Sequence, residues 1–131
     1  MKRGFIKNQH GQAMVELALV LPILLILLMS IIEFGRVYHS YLIITNASRE
    51  GARVAVLGKT DSDITNRVNE VSSGLDLPEL QTTITPSSAA RTSGVSTTVE
   101  VRYRISLVFS LFDAFVPNPL TITSRTIMRV E

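Results

Sequence analysis

HGQAMVELALVLPILLILLMSIIEFG, residues 10–35, decides the fold. From Leu17 to Ile32 sixteen residues pass without a charge, with Glu16 at one end and Glu33 at the other. A membrane-spanning helix needs about 20 apolar residues. Gln12–Ile32 supplies twenty-one, interrupted mainly by Gln12, Glu16, Pro22 and Ser30. We therefore expect a transmembrane helix over residues 12–33. Glu16 is the anomaly. A carboxylate at the edge of lipid is costly and by default marks a function and a partner. The bland alternative is a glutamate that snorkels to the headgroups.

The charges set the topology. Of thirteen Lys and Arg residues, Lys2, Arg3 and Lys7 precede Gly11 with no acidic residue among them; ten remain against eleven Asp and Glu. The formal charge of +2 thus comes from the N-terminal tail and gives no argument for nucleic-acid binding. Positive charge stays on the cytoplasmic side, so the N-terminus is expected inside and residues after about 34 outside. A secretory signal peptide shares the basic start and apolar centre. However, Met29-Ser30-Ile31-Ile32-Glu33 offers no small-x-small cleavage site, and the run passes straight into a helical pattern. Pro22 should bend or loosen the helix, as membrane helices tolerate.

Beyond the span, Phe34, Tyr38, Tyr41, Thr45, Ser48, Ala52 and Ala55 recur at spacings of three and four, predicting one helix face. Gly58 is a good stop. Gln12–Leu57 would form a rod of about 69 Å if continuous, its second part a stalk over residues 34–58. Ala47, Gly51 and Ala55 are spaced by four, and small residues at that spacing let another element approach closely. Either another subunit's helix or the chain's own sheet would fit. Glu50 and Arg53 can pair on one face.

Residues 59–131 read as a small α+β head. Asp61 or Ser62 would cap a short helix carrying Ile64, Val68 and Val71, ending near Gly74. Glu79–Thr85 suits a short strand, and residues 86–94 a loop. Val95–Leu107 alternates strictly, with Val99, Val101, Tyr103 and Ile105 inward and Glu100, Arg102 and Arg104 outward. Leu111, Phe112, Phe115 and Val116 break the alternation in an apolar loop that would cover the sheet edge or meet a neighbour. Leu120–Val130 returns as the last strand. The expected fold is α+β: a long N-terminal transmembrane and stalk helix, a short helix and a three-stranded antiparallel sheet. Arg102, Arg104, Arg125 and Arg129 would share the outer face, as a solvated surface or as a site for an anionic partner.

The motif set resembles a known family. A basic leader, Gly11, and Glu16 five residues later resemble the class III signal of type IV pilins and pseudopilins. Gly11-Gln12-Ala13-Met14-Val15-Glu16, Leu21-Pro22, Glu33-Phe34-Gly35-Arg36 and Asn46-Ala47-Ser48-Arg49-Glu50-Gly51-Ala52-Arg53 together look like the TadE-like family, minor pilins or pseudopilins of the tight-adherence (Tad/Flp) system. The resemblance covers about residues 10–58. It implies that residues 1–11 are a leader removed by a prepilin peptidase between Gly11 and Gln12. It also implies partners among other Tad pilins or pseudopilins, the inner-membrane assembly platform and the lipid bilayer. Glu33, Gly35, Arg36, Arg49, Glu50, Gly51, Ala52 and Arg53 would be family-motif residues. The chemistry agrees: cleavage would free an α-amine with a pKa of about 8, and Glu16 one turn deeper could pair with it or with a neighbour's. An unpaired buried partner is strongly destabilising, which would let Glu16 set register during assembly.

Nothing here points to catalysis. There is no Gly-rich phosphate loop, no metal-ligand spacing and no Ser–His–Asp set. His39 stands alone, and the chain has no cysteine. We expect no enzyme, metal or cofactor. The leading expectation is a processed pilin-type subunit in the inner membrane. The alternative is an unprocessed single-pass anchor whose head binds a ligand or envelope protein.

Overall fold

The computed structural model describes residues 9–131, with side chains from Gly11 onward. Lys2, Arg3 and Lys7, and with them most of the expected leader, lie outside the described residues. α1 runs from Gln9 to Val56, 48 residues without interruption at Pro22. At 1.5 Å per residue this is a rod of about 72 Å. It stops at Gly58, whose φ of 71° lies in the left-handed region where a Cβ is disfavoured. The Gly58 N–H closes the last turn on the Ala55 carbonyl at 3.1 Å.

α2 spans Asp61–Val71. Its cap is Thr60, one residue before the expected Asp61 or Ser62. The Thr60 hydroxyl accepts from the Asp63 N–H while the Asp63 carboxylate accepts from the Thr60 N–H, each at 3.2 Å. This reciprocal pair satisfies two orphan donors at once, which neither expected cap could do. Asp61 is left free to face the Arg91 guanidinium. The helix also ends earlier than Gly74, at Val71, with Ser72 as its C-cap.

β1 (Leu80–Thr85), β2 (Ser96–Ile105) and β3 (Leu120–Arg129) form an antiparallel sheet in chain order. Ile84 lies opposite Val99, and Glu100 opposite Arg125. Alternation holds on β2: Thr97, Val99, Val101, Tyr103 and Ile105 are buried against α1 and α2. The core joins them to Ile44, Ala47, Ala52 and Ala55 of α1 and Ile64 and Val68 of α2. Each fully buried Val or Ile stabilises by about 1.5–3 kcal/mol relative to exposure.

The buried face of α1 differs from the expected one in its first half. Glu33, Ser40, Ile44, Ala47, Ser48, Gly51, Ala52 and Ala55 face the head, with Val37 half-buried. Phe34, Tyr38 and Tyr41 are exposed, and the Phe34 and Tyr38 rings stack on each other at 6.3 Å. The physical reason is that the seam is built from small residues. The head comes close only where side chains are short, so the bulky aromatic stripe beside that seam faces outward.

Candidate functional site

Gly11, Gln12 and Glu16 stand on the first described turns of α1. Every residue from Gly11 to Leu28 is exposed, and nothing lies within 4 Å of a Cβ placed on Gly11. The Gln12 side-chain amide donates to Glu16 Oε1 at 3.2 Å. That amide is the one hydrogen-bond partner of the Glu16 carboxylate among the described residues. The α1 segment is long and apolar enough to cross a membrane, and none of its most apolar window is buried by the rest of the chain.

Glu33 lies off the face that the spacing of Phe34, Tyr38 and Tyr41 predicts, yet it turns inward. It is buried, at 5% exposure, at the base of the head. Its Oε1 accepts from Arg36 Nη1 at 2.9 Å and from the Val108 N–H at 3.3 Å. Oε2 is buried without a partner. Glu33 thus ties α1 to the loop that follows β2. Gly35 is exposed and touches nothing that a Cβ would meet. Both line an apolar groove of about 1000 Å³, floored by Ile23, Leu27 and Ile31 of α1 and walled by Leu107, Phe112 and Val116.

Farther along α1 the small residues meet the head. A Cβ on Gly51 would fall 2.8 Å from Val68 Cγ2 and 3.2 Å from Val99 Cγ1. Ala47, Ala52 and Ala55 are fully buried beside it. Next to this seam the Ser48 hydroxyl donates to the Thr45 carbonyl at 2.9 Å and lies within hydrogen-bond distance of the Ser124 hydroxyl at 3.2 Å and the Thr126 hydroxyl at 2.8 Å. Arg49 is exposed and makes no ion pair among the described residues. Glu50 meets Arg53 at 3.5 Å and, more closely, Arg67 of α2 at 3.1 Å. The Arg67 hydrogen bond, aided by Arg53, holds the Glu50 carboxyl below its ordinary range.

On the outer face of the sheet the arginines are already answered within the chain. Glu100, itself buried at 7% exposure, accepts from Arg125 at 2.7 Å and from Arg102 at 2.7 Å. Arg125 is the leading cause of its lowered pKa. Arg104 meets Glu79 at 2.9 Å, and Arg129 donates to the Gly94 carbonyl at 2.9 Å. The four guanidinium groups thus share two carboxylates and one carbonyl in a cross-strand network, which holds each of them in place.

Sequence reasoning missed Arg67, Arg91 and the Ser48 cluster. Arg91 lies in a stretch that reads as small and polar, yet its side chain is 1% exposed. It pairs with Asp61 and donates to the Lys59 carbonyl at 2.9 Å. A single guanidinium in the middle of a Ser/Ala/Gly loop was the available signal. Among the described residues no group of three His, Cys, Asp or Glu side chains is placed to hold a metal ion.

Compared with known families, residues 11–53 match the one described as TadE-like protein. No curated protein and no solved structure matches the chain. The matched segment begins at Gly11, contains the apolar part of α1 and ends at Arg53, three residues before the helix does.

Proposed function

We propose, from the premise that this chain is TadE-like through residues 11–53, that it is a minor pilin or pseudopilin of a tight-adherence apparatus. The precursor is inserted in the inner membrane with its N-terminus in the cytoplasm. A prepilin peptidase cuts between Gly11 and Gln12, and the mature chain joins other Tad pilins at the assembly platform to serve pilus assembly, adhesion or export. The observation that supports this reading best is the start of the family match at Gly11, with Glu16 five residues on and the whole intervening surface unpacked.

In the uncut chain the Gln12 nitrogen is a peptide nitrogen within α1. Cleavage turns it into an amine, cationic at neutral pH. Glu16, held among the described residues by the neutral Gln12 amide alone, then gains a charged partner on its own chain or a neighbour's. In a low dielectric that pair is favourable only with good geometry, so correct register is rewarded and slipped register is penalised. The exposed apolar residues of α1 offer the surface along which such helices pack.

N-terminal sequencing of the protein recovered from membranes of its own host tests the reading. The expected start is Gln12, and Gly11→Leu should leave the chain uncut. Glu16→Ala should be processed normally yet fail to co-purify with partner pilins. A start at Met1 overturns the reading and favours a plain membrane anchor.

A further inference from the structure

The loop between β2 and β3 does not suit water. Its stretch from Ser106 to Pro119, SLVFSLFDAFVPNP, holds a single charge, Asp113. Val108 is 65%, Leu111 60% and Phe115 86% exposed. Three large apolar side chains pointing outward from one short loop mark an interaction surface. The loop hangs from the end of the sheet where Ile105 and Leu120 are paired. From there it runs back alongside α1, so that Phe112 and Val116 share one groove with Ile23, Ile26 and Leu27. Ile23 lies ten residues before Glu33, about 15 Å down the helix axis. The floor of the groove is therefore inside the apolar run itself.

We propose that this loop is a second membrane element. Leu111, Phe112, Phe115 and Val116 lie in the outer leaflet beside α1, and lipid acyl chains fill the groove. The inference rests on the reading that α1 spans the bilayer. Its support is continuity: the groove floor and the outer surface of α1 are one apolar surface, exposed from Leu17 to Leu28 and again at Ile31 and Ile32. Polar groups of this region are paired within the chain rather than left bare to lipid. Glu33 holds the Val108 N–H, and Arg36 pairs with Glu33 at the upper rim. Asp113 accepts from Asn118 Nδ2 at 2.9 Å, and Asn118 Oδ1 accepts from the Leu107 N–H at 3.1 Å. Amphipathic segments of this kind bury their apolar side just below the headgroups. The head is then seated on the membrane rather than raised above it.

The chain contains no tryptophan, so single-tryptophan variants report depth directly. The full chain would be placed in phosphatidylcholine vesicles with and without bromine on the acyl chains. Leu25→Trp reports the span, Phe115→Trp the loop, and Thr92→Trp the far end of the head. Phe115 projects outward, so its replacement leaves the core intact. We expect Leu25→Trp and Phe115→Trp to lose most of their emission to the bromines, and Thr92→Trp to keep it. If Leu25→Trp is quenched and Phe115→Trp is not, the loop proposal is overturned while the span stands. A Phe115→Trp emission that is blue-shifted yet unquenched overturns it in favour of a protein partner. If even Leu25→Trp keeps its emission, the span fails and the proposal goes with it.

Discussion

Gly51 sits where α1 presses against Val68 and Val99 of the head, and its missing Cβ is what permits the contact. Val68 Cγ2 belongs to a β-branched side chain with little rotamer freedom, so it cannot swing away from an added group 2.8 Å off. Gly51→Leu should lower head stability by at least the upper end of the about 1–3 kcal/mol typical of overpacking. Gly35→Ala, in open space on the same helix, should leave it unchanged or raise it by up to about 1 kcal/mol through helix propensity. Thermal unfolding of the two variants in detergent, followed by circular dichroism, measures the contrast. Equal melting temperatures would show that α1 and the head do not meet at Gly51. Arg91 is the other residue on which local order depends. Its guanidinium joins the β1–β2 connection to the turn between α1 and α2. Arg91→Leu should cost about 1–3 kcal/mol for the lost charge-assisted hydrogen bonds. It should also speed amide exchange over residues 86–94, and unchanged exchange there would refute the link.

At the scale of elements, the parts with a strong period were legible in the sequence. The apolar run and its helical continuation predicted α1 to within a residue or two of its end at Val56. Strict alternation predicted β2 and the face it buries. What escaped was non-local or low in hydrophobicity. Ahead of the Ala47–Gly51–Ala55 spacing, which is legible in the sequence, α1 turns Glu33 and Ser40 inward; these carry little apolar signal, so the neighbouring Phe34–Tyr38–Tyr41 stripe outweighed them. Glu33 meets Val108 across 75 positions and Ser48 meets Ser124 across 76. No local pattern encodes such pairs. The Glu50–Arg53 pair was readable because it is one helical turn long, whereas the closer Arg67 partner lies on another helix. Gly11, Gln12 and Glu16 were readable only as a spacing. The roles proposed for them would depend on cleavage and on neighbours, and the packing of one chain carries neither.

For the whole molecule, acid should loosen the head. Glu50 and Glu100 are held below their ordinary value of 4.5, first by hydrogen bonds from Arg67 and Arg125 respectively. Asp63 is held below 3.8, first by the Thr60 hydroxyl and then by the Thr60 N–H. A carboxyl whose folded pKa is lowered contributes stability that is present above the unfolded value and lost as pH falls through the folded one. The melting temperature of the head should therefore be flat from about pH 7 to about pH 5 and fall below about pH 4.5. Glu100→Gln should be less stable at neutral pH and show a shallower acid decline. A wild-type melting temperature that stays level through the acid range would contradict the assignment of these pairs. The single uninterrupted α1 has a mechanical consequence as well. The head is fastened along several successive turns of the same rod that carries the apolar run, from Glu33 to Ala55. A pull on the head directed along that rod loads the seam in shear, so every turn shares the load at once. A sideways pull would instead open it row by row. A chain held by this helix and pulled along it is thereby at its strongest, and it is weakest to a pull across it.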